Sequence, residues 1–237
     1  MQIAVWSGPR NISTALMYSF VQRKDFTAID EPFYASYLRL TGLDHPMRDE
    51  VISSQSSDPI KVAVSLLKET GRNKPHVYQK HMTQHMVSGI PRFWMTKIRN
   101  VFLVRHPARV VASFAKKIDH PTKDDLGFEK QTELLRFLFK AGYVPIVVNS
   151  FELRKNPKKM LVKLCNALGL EFDPCMLTWS AGGSPYDGVW ARHWYGAVHQ
   201  SIGFSKPEGP LPDLENPLRL LAENAMNDYE FMMDFCL

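Results

Sequence analysis

The stretch IAVWSGPRNISTALMYSF, Ile3–Phe20, decides how this chain is read. An apolar run, Ile3–Trp6, suits a strand buried on both faces. A short polar turn follows, and then Ser13–Gln22, where Leu16, Met17 and Phe20 fall on one face of a helix. A second stretch, VFLVRHPARVVASF (Val101–Phe114), repeats the plan: a buried strand, Arg105, and a helix carrying Ser113. In an α/β fold both strands end at one edge of the sheet and both helices aim their N-termini at the crevice there. The unpaired N–H groups and dipole of a helix start attract phosphate or sulfate. Two such starts, each with an arginine and hydroxyls, imply a ligand with phosphate-like groups at both ends.

The rest of the chain alternates in the same manner. Strands are expected at Thr27–Asp30, His76–Lys80 and Pro145–Val148, and helices at Phe33–Leu40, Pro59–Thr70, Arg92–Thr96, Pro107–Lys117, Asp124–Ala141, Pro157–Leu168 and Leu214–Phe235. Pro59, Pro107 and Pro157 suit first-turn positions, while Gly71 and Gly169 suit helix ends. Asp44–Asp58 is polar and without periodicity, and reads as a loop. Such alternation implies an α/β three-layer sandwich with a central, mostly parallel sheet flanked by helices. One domain over residues 1–237 is expected, with the glycine-, proline- and aromatic-rich residues 180–209 as a lid.

Composition narrows the function. With 45% hydrophobic and 22% charged residues in 237, the chain is neither disordered nor membrane-like. No run approaches the ~18 apolar residues of a membrane span. A strand starting at Ile3 leads us to expect no signal or transit peptide, hence a cytoplasmic chain. Three cysteines, Cys165, Cys175 and Cys236, lack metal-ligand spacing and read as reduced packing groups. The net charge of +5 includes Arg105, Arg109, Lys116, Lys117, Arg154, Lys155, Lys158 and Lys159, which could steer an anionic small molecule. No basic stripe interleaved with aromatics is present, so neither nucleic acid nor membrane is an expected partner.

Arg10-Asn11-Ile12-Ser13-Thr14 after a strand resembles the 5′-phosphosulfate loop of sulfotransferases that use 3′-phosphoadenosine 5′-phosphosulfate (PAPS), usually Lys/Arg-Ser/Thr-Gly-Ser/Thr-Ser/Thr. Arg105 and Ser113 are similar to that family's 3′-phosphate-binding arginine and serine. Asn149–Met160 and Leu164–Leu170 resemble its next strand–Asn-Pro–helix passage. The likeness covers roughly residues 1–20 and 98–175. It implies a P-loop-like sulfotransferase fold, PAPS as co-substrate, and a small-molecule or carbohydrate hydroxyl as acceptor. Ile12 replaces the family's glycine, which favours positive φ. If the turn cradles an oxyanion, Ile12 is expected at negative φ, its side chain toward the core and its N–H toward the crevice.

A phosphoryl-transfer enzyme on a related scaffold is the first rival, and a catalytically silent nucleotide-binding module the second. Gly8-Pro-Arg-Asn-Ile-Ser-Thr lacks the second glycine and the lysine of a P-loop. Val101–Val104 ends in Arg105 and Pro145–Val148 in Asn149, so neither supplies a metal-binding aspartate. A sulfuryl group carries less charge than a phosphoryl group, so no metal is expected. For the base, Asp30-Glu31-Pro32 resembles a glutamate-proline element of carbohydrate and tyrosine sulfotransferases. Lys80-His81 resembles a lysine–threonine–histidine segment of the cytosolic branch. Glu31 is preferred and His81 is the alternative, with Lys80 neutralising the leaving oxygen. His81 and His85 have i,i+4 spacing but no third zinc ligand. Trp179, Tyr186, Trp190, Trp194 and Tyr195 suit a packed lid over a sugar or aromatic acceptor, and Arg192 is the expected cation closing over a phosphate.

Overall fold

The computed structural model describes residues 1–68 and 74–237. Among these, five strands form one parallel sheet: β1 (Gln2–Ser7), β2 (Phe26–Asp30), β3 (His76–Met82), β4 (Arg99–Val104) and β5 (Ile146–Asn149), in the order β2-β3-β1-β4-β5. After β3 the chain crosses to the other side of β1, which makes the C-terminal ends of β1, β3 and β4 a topological switch point and thus a crevice. The register sets Val5 beside Lys80 and Val101.

β1, β4 and β5 bury both faces along apolar runs, and β3 is as deeply buried although Gln79, Lys80 and His81 are polar. Ala4, Trp6, Phe102 and Val104 join one core with Val110 and Val111 of the Pro107–Phe114 helix and Leu134 and Leu135 of the Phe128–Lys140 helix. Ile3, Val5, Val101 and Leu103 face a second core with Leu16, Met17 and Phe20 of the Ser13–Val21 helix and Leu161 and Leu164 of the Pro157–Leu168 helix. Leu16 is fully buried, so its truncation to alanine is expected to cost about 2–5 kcal/mol. The three-layer α/β sandwich read from the sequence is therefore the observed architecture.

Several element boundaries differ, for identifiable reasons. The Asp44–Asp58 loop contains a helix, Arg48–Ser54, which buries only Val51 and so leaves no periodic signature. The expected Asp124–Ala141 helix breaks at Gly127, whose φ is 72° and where a Cβ would meet Thr83 Oγ1 at 2.8 Å. Leu214–Phe235 is two helices, Leu218–Asn224 and Met226–Met233, separated at Ala225. The Pro107 helix stops at Phe114, and Arg92–Thr96 reduces to a 3₁₀ turn, Met95–Lys97. A helix at Ser150–Lys155 was not anticipated; Asn149 caps it by accepting from Phe151 N at 2.9 Å. The Pro59 helix runs to Ser65, and the expected ending at Thr70 and Gly71 lies outside the described residues. The 180–209 stretch holds two short helices, Ala191–Trp194 and Gly196–His199. Among the described residues no helix is long and apolar enough to cross a membrane.

Candidate active site

The β1 turn is shaped by backbone strain. Arg10 and Ile12 both take positive φ, 61° and 58°, with Asn11 between them. Left-handed residues alternating with ordinary ones curl successive N–H groups toward one side, an anion-binding nest. The expectation of negative φ for Ile12 is therefore wrong: this β-branched residue holds the conformation a glycine would adopt, at a cost of about 1–2 kcal/mol. Surrounding contacts impose it. Asn11 Nδ2 donates back to the Gly8 carbonyl at 3.0 Å, and Gly8 packs so closely that a Cβ there would lie 2.3 Å from the Leu126 carbonyl oxygen. Ile12 is the N-cap of the Ser13–Val21 helix and makes no side-chain cap, so the first-turn N–H groups are not consumed by the protein. Strain of this kind, held in place by its neighbours, concentrates at functional sites.

Arg105 leaves the end of β4 and reaches the same turn. Its Nη1 donates to the Arg10 carbonyl at 2.6 Å, and Arg10 Nε donates to Ser113 Oγ at 2.9 Å. Arg10, Arg105 and Ser113 thus meet across roughly a hundred residues of sequence. Burial and then the neighbouring Arg105 lower the pKa of Arg10, and burial lowers that of Arg105 against the opposing pull of Glu208. Desolvated, crowded guanidiniums gain when an anion joins them.

A second charged corner lies at the ends of β2 and β3. Lys80 is 1% exposed and donates to Asp30 Oδ1 at 3.0 Å, to Tyr195 OH at 2.6 Å and to Glu31 Oε1. Tyr195 in turn donates to Asp30 Oδ2 at 2.8 Å, and Trp190 Nε1 donates to Tyr195 OH at 3.0 Å. Burial opposes the Lys80 charge, but Asp30 and Glu31 outweigh it and raise its pKa. Burial pushes Asp30 up to about 6 against the pull of Lys80. Glu31 sits at φ 43°, a strained conformation that lets its N–H still donate to the Lys80 carbonyl at 2.9 Å while the chain turns toward Pro32. His85 stacks between Tyr34 and Tyr37 at 4.6 and 4.8 Å, with Nε2 3.9 Å from Glu31 Oε2. Burial holds the pKa of His85 well below its ordinary value, so it is neutral at pH 7.

One cavity of about 570 Å³ connects the two corners. Arg10, Asn11, Ile12, Ser13, Thr14, Glu31, Lys80, Arg105 and Ser113 all line it. Two sequence candidates do not. His81 is 2% exposed and stacks on Trp6 at 4.5 Å beside Trp94 and Phe33, in the core on the other face of the sheet. Successive strand residues alternate faces, so Lys80 and Met82 reach the cavity and His81 cannot. Arg192 is exposed and donates to Glu50 at 2.7 Å, away from the cavity. Of the aromatic cluster, Trp194 and Tyr195 line the cavity, whereas Trp179 packs edge-on against Tyr18 and Tyr186 accepts from Lys74 at 2.8 Å.

Sequence reasoning missed several contacts. Tyr195, expected only as part of an aromatic lid, accepts from Lys80 across 115 positions, and no local signal links the two. His85 could not be separated from His81 by spacing. Asp30, which does end a strand, was passed over as a possible metal ligand; here Lys80, Tyr195 and the Gly188 N–H at 3.2 Å engage it. Arg154 was read as general steering charge, yet it lines the cavity.

The family model described as "Sulfotransferase domain" matches residues 1–234. Two Arabidopsis thaliana proteins named branched-chain-amino-acid aminotransferase-like protein 1 and 2 are 40% and 37% identical over 203 and 207 residues. These matches cover 86% and 87% of this chain but 36% of each relative, so the chain spans little more than a third of their length. Among solved structures, the sulfotransferase domain from the curacin biosynthetic pathway superposes with a TM-score of 0.54 at 17% identity, covering 96% of both chains, a likeness of fold. By its family match over residues 1–234, this chain belongs to the sulfotransferase-domain family.

Proposed function

We propose that the chain transfers a sulfuryl group from PAPS to a hydroxyl of a small-molecule or carbohydrate acceptor, working as one domain with residues 180–209 as its lid. The observation carrying this reading is the joining, in one cavity, of a left-handed Arg10–Ile12 turn at an uncapped helix start with a strained glutamate. The donor set fits the nucleotide. Arg10 and the N–H groups of the first helical turn suit the 5′-phosphosulfate, and Arg105 with Ser113 suits the 3′-phosphate. Arg105 Nε is buried without an acceptor, as expected where a phosphate belongs.

Bound there, PAPS supplies the sulfuryl group: the acceptor oxygen bonds to sulfur as the bond from sulfur to the 5′-phosphate oxygen breaks. Glu31 takes the proton of the acceptor hydroxyl. Arg10 and the helix N-terminus receive the charge that develops on the departing phosphate. Lys80 has a different part from the one expected of it. All three of its N–H bonds are held by Asp30, Glu31 and Tyr195, so it orients Glu31 rather than meeting the leaving oxygen. Tyr34, Tyr37 and Trp194 line the end of the cavity beyond Glu31 and suit an aromatic or sugar body on the acceptor.

Calorimetry with adenosine 3′,5′-bisphosphate against ADP plus Mg²⁺ tests the reading. Adenosine 3′,5′-bisphosphate should bind preferentially, and Arg105→Ala should weaken it by about 2–4 kcal/mol while sparing adenosine 5′-monophosphate. Preference for ADP plus Mg²⁺ would favour phosphoryl transfer instead.

A further inference from the structure

The segment Lys206–Gly209 is held by one kind of partner. Arg154 Nη2 donates to the Lys206 carbonyl at 2.7 Å, and Arg109 Nη2 to the Gly209 carbonyl at 2.5 Å. Between them the Glu208 carboxylate, 3% exposed, accepts from Arg154 Nη1 at 2.6 Å and from Arg105 Nη2, and lies 3.3 Å from Arg109 Nε. From Phe204 to Glu215 the chain forms neither helix nor strand. This strap is thus fastened to three guanidiniums, of which Arg105 and Arg154 line one end of the cavity and Arg109 packs behind them on Glu208.

The match is incomplete in charge and in hydrogen bonds. Three guanidiniums face one carboxylate. The Nε atoms of Arg105 and Arg154 are buried without acceptors, and Glu208 Oε2, though 3.3 Å from Arg109 Nε, is itself buried without a hydrogen bond, so the carboxylate fits the three arginines poorly. Each arginine offers five N–H donors, more than the two oxygens of a single carboxylate can receive from three of them. A phosphate monoester brings three terminal oxygens and nearly two charges at neutral pH. It is the better ligand for this set.

We propose that Arg105, Arg109 and Arg154 together form a phosphate-monoester subsite, and that Glu208 is its internal occupant, displaced when the 3′-phosphate of a nucleotide arrives. The inference rests on the reading of Arg105 given above and adds Arg109, Arg154 and Glu208 to it. Displacement frees the Lys206–Gly209 strap, so nucleotide binding is coupled to loosening of the chain between Phe204 and Glu215. Affinity for the 3′-phosphate is lowered by the fraction of molecules in which Glu208 holds the arginines. A nucleotide without that phosphate leaves the strap fastened.

Two measurements on the full chain test this. Glu208→Gln removes the competing charge and should bind adenosine 3′,5′-bisphosphate about tenfold more tightly, with adenosine 5′-monophosphate affinity unchanged. In the unsubstituted protein, saturating adenosine 3′,5′-bisphosphate should speed amide hydrogen exchange at Ser205, Lys206, Glu208 and Gly209, and adenosine 5′-monophosphate should not. If Glu208→Gln binds the bisphosphate no better or less well, Glu208 positions the arginines and the proposal is wrong. Should that variant not fold, exchange alone decides: unchanged or slower exchange with the bisphosphate overturns the proposal. Arg105→Ala keeps the two readings apart. Equal losses for both nucleotides would remove the 3′-phosphate assignment itself, whereas a selective loss with a silent Glu208→Gln removes only the internal occupant.

Discussion

The two ends of the cavity solve opposite electrostatic problems. At the Lys80 end, two carboxylates share one ammonium, with Asp30 and Lys80 each about 1% exposed at the side chain. At the Arg105 end, three guanidiniums share one carboxylate, and Arg105, Arg109 and Arg154 remain 11–17% exposed. The first is short of positive charge and deeply buried, with only the edge of Glu31, 8% exposed at the side chain, reaching open space. The second is short of negative charge and reachable. Under the proposed function an anionic donor would be drawn to the arginine end and a proton acceptor held at the carboxylate end, so the contrast would give the cavity a direction. It also implies different responses to substitution, because removing one partner from a deeply buried cluster strands the rest without water.

The largest effect is expected at the buried end. Lys80→Met leaves Asp30 and Glu31 without their cation and should cost about 3–5 kcal/mol of stability in denaturant unfolding. Adding Asp30→Asn should recover part of that loss by reducing the stranded charge. A cost under about 1 kcal/mol, the range of exposed pairs, would show that the Lys80 end is wet and erase the contrast.

A pH-dependent effect should come next. Burial lowers the pKa of His81 well below its ordinary 6.5. The unfolded chain therefore takes up a proton below about pH 6.5 that the folded chain refuses, so this contribution to stability is present above that pH and is lost as pH falls. His81→Phe keeps the stacking with Trp6 and removes the titration. Comparison of the two unfolding free energies from pH 8 to pH 5 should show the unsubstituted protein losing ground steadily below pH 6.5. A constant difference would mean that His81 is not buried as a neutral ring.

The smallest effect concerns the turn itself. Ile12→Gly places at φ 58° the residue that prefers it, so relief of strain offsets lost packing and added chain freedom, and stability should move by no more than about 1 kcal/mol. Affinity for adenosine 3′,5′-bisphosphate should be unchanged, since the backbone donors stay where they are. A tenfold loss by calorimetry would show that the isoleucine side chain, not the backbone, shapes the arginine end.

The same contrast explains what could be read in the sequence. The arginine end rests on two contiguous strand–turn–helix stretches, so Arg10, Ser13, Thr14, Arg105 and Ser113 could be read from spacing. The parallel sheet followed from buried apolar runs alternating with amphipathic helices. The contacts of Tyr195 with Lys80 and of Glu208 with Arg105 could not be found in this way, because folding of the 180–209 stretch closes them across 115 and 103 residues. His81 was a different kind of error. The expected strand stopped at Lys80 and left His81 free to turn toward the cavity, whereas the observed β3 runs to Met82, and its two-residue period sends His81 to the opposite face from Lys80. The backbone of Ile12 was misjudged because propensity forbids what Asn11, Gly8 and Arg105 together enforce.

If the carboxylate end takes the acceptor's proton while the arginine end holds the donor, Glu31→Gln separates these tasks. The substitution keeps the side chain's shape and hydrogen bonding and removes its charge. Turnover of PAPS with a library of hydroxyl acceptors should fall by about 10²–10⁴, with affinity for adenosine 3′,5′-bisphosphate intact by calorimetry. Undiminished turnover in Glu31→Gln would mean that Glu31 is not the base.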